Sequence, residues 1–376
     1  MSLLLDEHRQ YLADRHRVDA LRRAIHATVQ PGDIVLDLGC GTGLLGLMAC
    51  EAGAARVYAI DNSGMIEIAR AMARASGFGD RITHIGGHSL AVDLPERADV
   101  LVFDQIGRLG FEAGLLEFAL DARKRFLRPE ARIMPGPVTL HLALAESAEI
   151  RSRIAFWDSR PAGIDTASAR LTAENTGYPV EPADIVLRSP SAEILTLHAA
   201  SWSDEPLEGH VTLRASSSAR IDGLAGWFVA ALAPGITMTN DPSAPDRINR
   251  RVAFLPLAQP IDLAAGDELR VTLRLLAADM ILSWDVARPD GSSRQSQSTW
   301  KGMLPVREER ARTRDDAVPR LTARGEARQT VLELCDGART VIEIGRELRA
   351  RHPALFPVDR DASVFTAEVL AVYGRS

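Results

Sequence analysis

Between residues 33 and 126, short apolar runs alternate with longer stretches in which apolar residues return every third or fourth position. The runs 33–38, 56–60, 82–85 and 100–103 predict strands, and 43–51, 65–75 and 113–126 predict helices. Such alternation implies a parallel sheet with helices on both faces. Upstream, Leu12, Val18, Leu21 and Ile25 sit near helical spacing among charges, so 3–28 reads as helical until Pro31-Gly32 ends it. From Pro135 the period falls to two. Segments 138–142, 211–213 and 269–275 alternate apolar with polar, the half-buried antiparallel signature, and predict a barrel or a sandwich. Residues 150–186, with Phe156, Trp157 and Tyr178 but no clear strand, read as an insertion. A charged stretch, 307–316, reads as a solvated linker. Helical periodicity then returns: one helix over 326–335 ends at Asp336-Gly337, and a capping box from Thr340 to Glu343 opens the next. A third, from about Asp361, places Phe365, Val369 and Val372 on one face.

The chemistry gathers at the ends of the predicted strands. Asp37-Leu38-Gly39-Cys40-Gly41-Thr42-Gly43 joins the first strand to a helix. Glycines there let backbone approach a ligand at a helix N-terminus, where unpaired N–H groups favour electronegative atoms. The spacing is G-x-G-x-G, not the G-x-G-x-x-G of dinucleotide sites. Asp61 closes the second strand, about 20 residues after the glycines, where an acid can accept from both ribose hydroxyls. With Asn62 and Ser63 beside it, Asp61 can equally cap a helix. Asp104 closes the fourth strand and Glu112 follows at a helix start, where a carboxylate can be a site residue or a partner of the dipole.

Composition narrows the setting. A net charge of −6 argues against a nucleic-acid partner held by a broad basic field. Cys40, Cys50 and Cys335 have neither metal-ligand nor disulfide-framework spacing, so no metal is expected and a reducing cytoplasm is the default. No apolar run approaches the ~18 residues of a membrane span.

Further stretches carry a family resemblance. His8-Arg9-Gln10-Tyr11-Leu12-Ala13-Asp14-Arg15-His16-Arg17 resembles a segment H-x-x-M-L-x-D-x-x-R, and Gly87-His88-Ser89-Leu90-Ala91-Val92-Asp93-Leu94-Pro95 resembles G-K-x-E-E-x-x-L-P. Phe103-Asp104-Gln105-Ile106-Gly107 followed by Glu112 resembles a loop S-E-x-M-G with a later glutamate, and Arg247-Ile248-Asn249 falls where a triplet T-H-W is expected. In this order and at these intervals, residues 8–304 resemble the catalytic core of the protein arginine methyltransferases, within the class I S-adenosylmethionine-dependent enzymes. The resemblance implies a Rossmann-like cofactor domain (31–135) under N-terminal helices (1–30), then an antiparallel β-barrel (136–304) whose insertion, 150–186, is a dimerisation arm. It implies that Arg17 meets the methionyl carboxylate, that His8 borders the cofactor, that Asp37, Gly39, Cys40 and Gly41 lie at motif I, that Asp61 binds ribose and that Ser89 belongs to the adenine segment. Asp104 and Glu112 would clamp the acceptor guanidinium. Three departures stand out: Leu90 replaces the acid that meets adenine, Asp104 replaces a glutamate in a loop one residue shorter, and the histidine and tryptophan of the triplet are missing. One missing methylene withdraws a carboxylate by roughly 1.5 Å.

Residues 317–376, beyond a linker at 305–316, resemble the PqqD-like peptide-recognition modules, through Val331-Leu332-Glu333-Leu334-Cys335-Asp336-Gly337-Ala338-Arg339-Thr340-Val341-Ile342-Glu343-Ile344. This implies a small helical, winged-helix-like module that binds a leader peptide. The expected function is N-methylation of a peptide or protein by S-adenosylmethionine, leaving S-adenosylhomocysteine, with an arginine-type nitrogen favoured and a ribosomally made precursor as one candidate. Of two carboxylates beside a cationic donor, one can carry a raised pKa and act as base. The alternatives are a small-molecule methyltransferase and a cofactor-binding regulator without turnover. A cytoplasmic homodimer is expected.

Overall fold

The computed structural model, which describes residues 4–277, 279–303, 318 and 320–374, breaks the predicted N-terminal helix in two, α1 (Leu4–Ala13) and α2 (Arg15–Thr28). Asp14 is extended between them, and its Oδ1 accepts from the backbone N–H of Arg17 at 3.2 Å to cap α2. A capping aspartate inside an otherwise periodic segment is what divides it.

The alternating region forms β1 (Ile34–Leu38), β2 (Arg56–Asp61), β3 (Ile82–Gly86), β4 (Ala98–Val102) and β5 (Leu127–Met134), with helices α3 (Leu44–Glu51), α4 (Met65–Ala75) and α5 (Leu115–Arg125) between them. The strands make one parallel sheet in the order β3-β2-β1-β4-β5. The order in which strands are added therefore reverses between β1 and β4, and the crevice beyond their carboxyl ends is where such sheets bind ligands. The sequence pattern hides β5. It is an edge strand whose Arg128, Pro129 and Glu130 are exposed, so it lacks a continuous apolar run.

Antiparallel strands follow: β6 (Val138–Glu146), β7 (Tyr178–Val180), β8 (Val186–Leu187), β9 (Ala192–Leu197), β10 (Leu207–Arg214), β11 (Ala219–Ala233), β12 (Ile236–Thr239), β13 (Val252–Leu263), β14 (Glu268–Leu276), β15 (Ile281–Ala287) and β16 (Arg294–Ser298). One sheet runs β7-β13-β11-β6-β8 with β9 and β12 attached, and the other runs β10-β14-β15-β16. The sheets close on each other in a barrel-like way. At one seam Gln259 and Gln295 exchange backbone-to-amide bonds of 2.9 and 2.6 Å, and the buried Trp284 donates to the Pro256 carbonyl at 2.8 Å. The insertion holds two short helices, α6 (Ala148–Ala155) and α7 (Arg170–Glu174).

A separate compact unit spans 304–376. Its helices, Ala323–Leu334, Val341–Arg351 and Asp359–Tyr373, bury Val331, Leu334, Ile344, Leu348, Phe365 and Val369 among themselves. The capping box of Thr340 and Glu343 is present. No strand occurs among this unit's described residues; the linker 305–316 and the side chain of Val372 lie outside them.

One buried amide ties the parallel sheet to the barrel. Asn240, fully buried, accepts from the Phe228 N–H at 3.0 Å and donates to the carbonyls of Arg108 and Arg251 at 2.8 and 2.9 Å. Asn240→Ala leaves the buried Phe228 N–H and two partly buried carbonyls without partners and should lower unfolding stability by on the order of 2–3 kcal/mol, read from the denaturant midpoint at constant m-value.

Candidate active site

The floor of the site is the turn after β1. The N–H groups of Gly39 and Cys40 both point at the Ile60 carbonyl, at 2.9 and 3.0 Å, which fixes the turn against β2. Gly39 and Gly41 have φ of +71° and +53°, and a Cβ on either would collide, with the Gln105 amide or the His8 ring. Glycine is therefore required twice, by conformation and by close approach. Burial, with Asp37 and Asp61 nearby, pushes the Cys40 thiol pKa up and keeps it protonated.

Asp37 lies behind this floor and does not line the cavity. It is fully buried, its Oδ2 accepts from the Gly46 N–H in α3 at 2.8 Å, and its Oδ1 has no hydrogen-bond partner among the described residues. Burial pushes its pKa from 3.8 up to about 7, against the Gly46 bond and with help from Asp61. Asp61 reaches forward. Its Oδ2 accepts from the Gly41 N–H at 2.8 Å, and its Oδ1 from the Ser63 N–H and hydroxyl at 2.8 and 2.6 Å. Since Gly64 holds the cap position of α4, Asp61 is an organiser of the turn and not that helix's N-cap.

Above the floor is a cavity of about 760 Å³ whose walls include His8, Tyr11, Arg17, Asp104, Gln105 and Arg250. A side chamber of about 310 Å³ shares Gly39, Asp61 and Gln105 with it and is completed by His88, Ser89 and Phe118. Leu90 is turned to solvent, 47% exposed. His8 stands edge-on to Tyr11, with ring centroids 5.9 Å apart.

Arg17 enters the cavity from the first turn of α2 and pairs with Asp104. Its Nε and Nη2 lie 2.8 and 2.7 Å from Oδ2 of that carboxylate. The same oxygen receives Nη2 of Arg250 at 3.2 Å, and Asp104 Oδ1 is buried without a partner among the described residues. Burial pushes the Asp104 pKa up, but Arg250 and Arg17 together outweigh it, and the net shift is downward. Asp104 is thus not the member of the carboxylate pair with a raised pKa, because two guanidinium groups hold it ionised.

Glu112 faces its own loop. Its oxygens accept from the backbone N–H groups of Arg108 at 3.1 Å, Leu109 at 2.9 and 3.1 Å, and Phe111 at 3.4 Å. It lines the cavity while fastening the turn after Gly107. The replaced triplet divides its tasks: Ile248 is buried, the Asn249 N–H donates to Asp14 Oδ2 at 2.6 Å, and Arg247 lies away from the clamp. Arg250, the next residue, was missed from sequence. Its one signal is a basic side chain adjoining a triplet that has lost its usual residues. Gln105 and Tyr11 stood inside quoted motifs without a role, yet both form cavity walls.

Residues 35–130 match the methyltransferase domain family. An arginine N(omega)-methyltransferase of Streptomyces achromogenes subsp. streptozoticus is 32% identical over 275 residues, 71% of this chain and 75% of that protein. The chain belongs to the arginine methyltransferase family. It is 31% identical over 263 residues to the probable histone-arginine methyltransferase 1.3 of Arabidopsis thaliana, 65% of this chain, and spans 49% of that plant protein's length. The fold of residues in the Trypanosoma brucei PRMT1 enzyme–prozyme heterotetrameric complex with AdoHcy superposes with a TM-score of 0.69 at 24% identity, over 77% of this chain and 96% of that one.

This methyltransferase depends on S-adenosylmethionine, and its residues fit that group. The positive-φ glycines leave a cradle that any Cβ would fill, with an acid at its lip and a chamber on either side. Among the described residues, no helix is long and apolar enough to cross a membrane.

Asp37 gives a pH test. Its folded pKa lies above its unfolded value, so between about pH 4 and pH 7 the folded state holds a proton that the unfolded state has released, and this part of the stability is lost as pH rises. Thermal melts should show Asp37→Asn gaining on the wild-type protein as pH increases from 5 to 8. A constant difference between the two across that range would contradict the assignment.

Proposed function

We propose that this methyltransferase methylates a guanidino nitrogen of arginine, and that the arginine is presented on a peptide or protein. The observation that carries this reading is Asp104. Its carboxylate stands just past β4 on the cavity wall, is only 7% exposed and held ionised, and has one oxygen, Oδ1, without a hydrogen-bond partner among the described residues. A guanidinium fork is the natural complement of such a group. S-adenosylmethionine supplies a methyl group on positively charged sulfur. The chain's own residues then have to bind, align and handle one proton. In this reading Gly39 to Gly41 carry the cofactor, Asp61 takes the ribose hydroxyls, Ser89 belongs to the adenine end, and His8 and Arg17 close over the methionyl end. Asp104 orients the acceptor nitrogen. Held ionised by its two arginines, it is the poorer base, so the departing proton goes to a carboxylate oxygen of Glu112.

Three further parts of the reading rest on the family. The insertion 150–186 exposes Phe156, Ile164 and Leu171, which supports its use as an arm between two copies of the chain. The C-terminal unit has its own core, which supports a separable peptide-recognition role, including the leader of a ribosomally made precursor. The cysteine usage suits a cytoplasmic protein. A second reading comes from the Streptomyces relative, whose name specifies arginine and not a protein. Under it the acceptor is a small molecule and the C-terminal unit packs without binding peptide.

Two measurements test these assignments. Asp104→Asn and Glu112→Gln should each lower methyl transfer by ~10²-fold or more while S-adenosylhomocysteine still binds; unchanged turnover in either would remove that residue from the mechanism. Deleting 317–376 should abolish capture of a precursor peptide and spare methylation of free arginine. Equal capture by the shortened chain would assign peptide binding elsewhere.

A further inference from the structure

Arg250 stands where an acceptor would be expected to stand. Its planar fork is the same chemical group as an arginine substrate's, and it lies on the carboxylate assigned to that substrate, with Nη2 3.2 Å from Asp104 Oδ2 and Nη1 3.0 Å from the Gly107 carbonyl. The Phe228 ring lies 5.8 Å from its Cζ. Its side chain is 15% exposed, so the group is largely out of water. The other clamp carboxylate gives little relief, since Glu112 already accepts backbone N–H groups of its own loop. The Asp104 carboxylate thus already faces two cations, Arg17 and Arg250. A protonated guanidinium would arrive as a third, in a site that also holds a sulfonium when the cofactor is bound.

We propose that Arg250 is a resident guanidinium that competes with the acceptor for Asp104 and so sets the acceptor's apparent affinity. The proposal rests on the reading of Asp104 as the acceptor carboxylate. Arg250 is the ligand to give way: its contact with Asp104 is 3.2 Å, against 2.7 and 2.8 Å for Arg17. Two other carboxylates line the same cavity, Glu7, which accepts from the Tyr11 hydroxyl, and Glu181, which pairs with Arg251. The apparent dissociation constant of an acceptor is then its intrinsic value divided by the fraction of molecules in which Arg250 has left Asp104. Removing the internal fork raises that fraction to one. An ordinary structural arginine would do the opposite, because its loss loosens the loop and weakens every ligand.

The experiment is calorimetric titration of methylguanidine into the full chain saturated with S-adenosylhomocysteine. Arg250→Gln should bind methylguanidine at least about tenfold more tightly than the wild-type protein. Arg250→Lys, which keeps the charge and loses the fork, should fall between them, and adding Asp104→Asn to Arg250→Gln should abolish the gain. Methylguanidine binding that is equal to wild type or weaker in both Arg250 variants overturns the proposal. Retained binding of S-adenosylhomocysteine shows that a variant is folded, and Arg250→Lys serves if Arg250→Gln is not. Turnover of the Asp104→Asn and Glu112→Gln proteins reads the parent assignment separately, so a failure of that reading is told apart from a failure of this one.

Discussion

A carboxylate taken out of water costs several kcal/mol unless close counter-charges replace its hydration, and Asp104 meets that condition with two guanidinium groups from distant parts of the chain. Arg17 comes from the N-terminal helices, Asp104 from the sheet, and Arg250 from the loop that leads into β13. Three regions built on one continuous apolar core therefore share one buried charge. Moving one arginine away leaves Asp104 to the other alone, and only the loss of both leaves the buried ion unpaired, which is strongly unfavourable. The cofactor turn, the acceptor loop and the barrel are tied by this junction in addition to the apolar core that runs through all three.

The parallel sheet was largely legible because buried strands and amphipathic helices leave strong periodic signals. The stretch 65–75 was read with the bounds α4 has, and β1 to β4 were each located to within two residues at either end. The misses have physical causes. Asp14 caps a helix inside a periodic segment, and β5 is an edge strand carrying exposed charges. The site was legible in its list of residues but less so in their pairings. Arg17, expected on the cofactor's carboxylate, is found on Asp104, and Glu112, expected to face an acceptor, accepts from its own loop. Asp37 belongs to the turn's support and not to its surface. Sequence spacing tells which residues share a strand end; it does not tell which way each side chain turns, and that depends on partners as near as the Leu109 N–H for Glu112 and as far along the chain as Arg17 for Asp104.

Arg250 shows the limit most clearly. Comparing a motif with its family draws attention to the residues that are missing, here the histidine and tryptophan replaced around Ile248 and Asn249. The residue that contacts the site is the next one along, where nothing seemed to be lost. Asn240 donates to the carbonyls of Arg108 and Arg251, and so joins the acceptor loop to the residue next to Arg250.

Asp14 has a consequence of the same kind. One of its oxygens begins α2 and the other grips the Asn249 backbone, so a single carboxylate starts the helix that carries Arg17 and anchors the loop that carries Arg250. The helix preceding it, α1, buries none of its residues and has little of its own to hold it down. If the first turn of α2 frays, the grip on residue 249 goes with it. Both arginines of the junction then lose their footing in one event, which makes the entrance over the cofactor and the occupancy of the acceptor position a single mechanical variable.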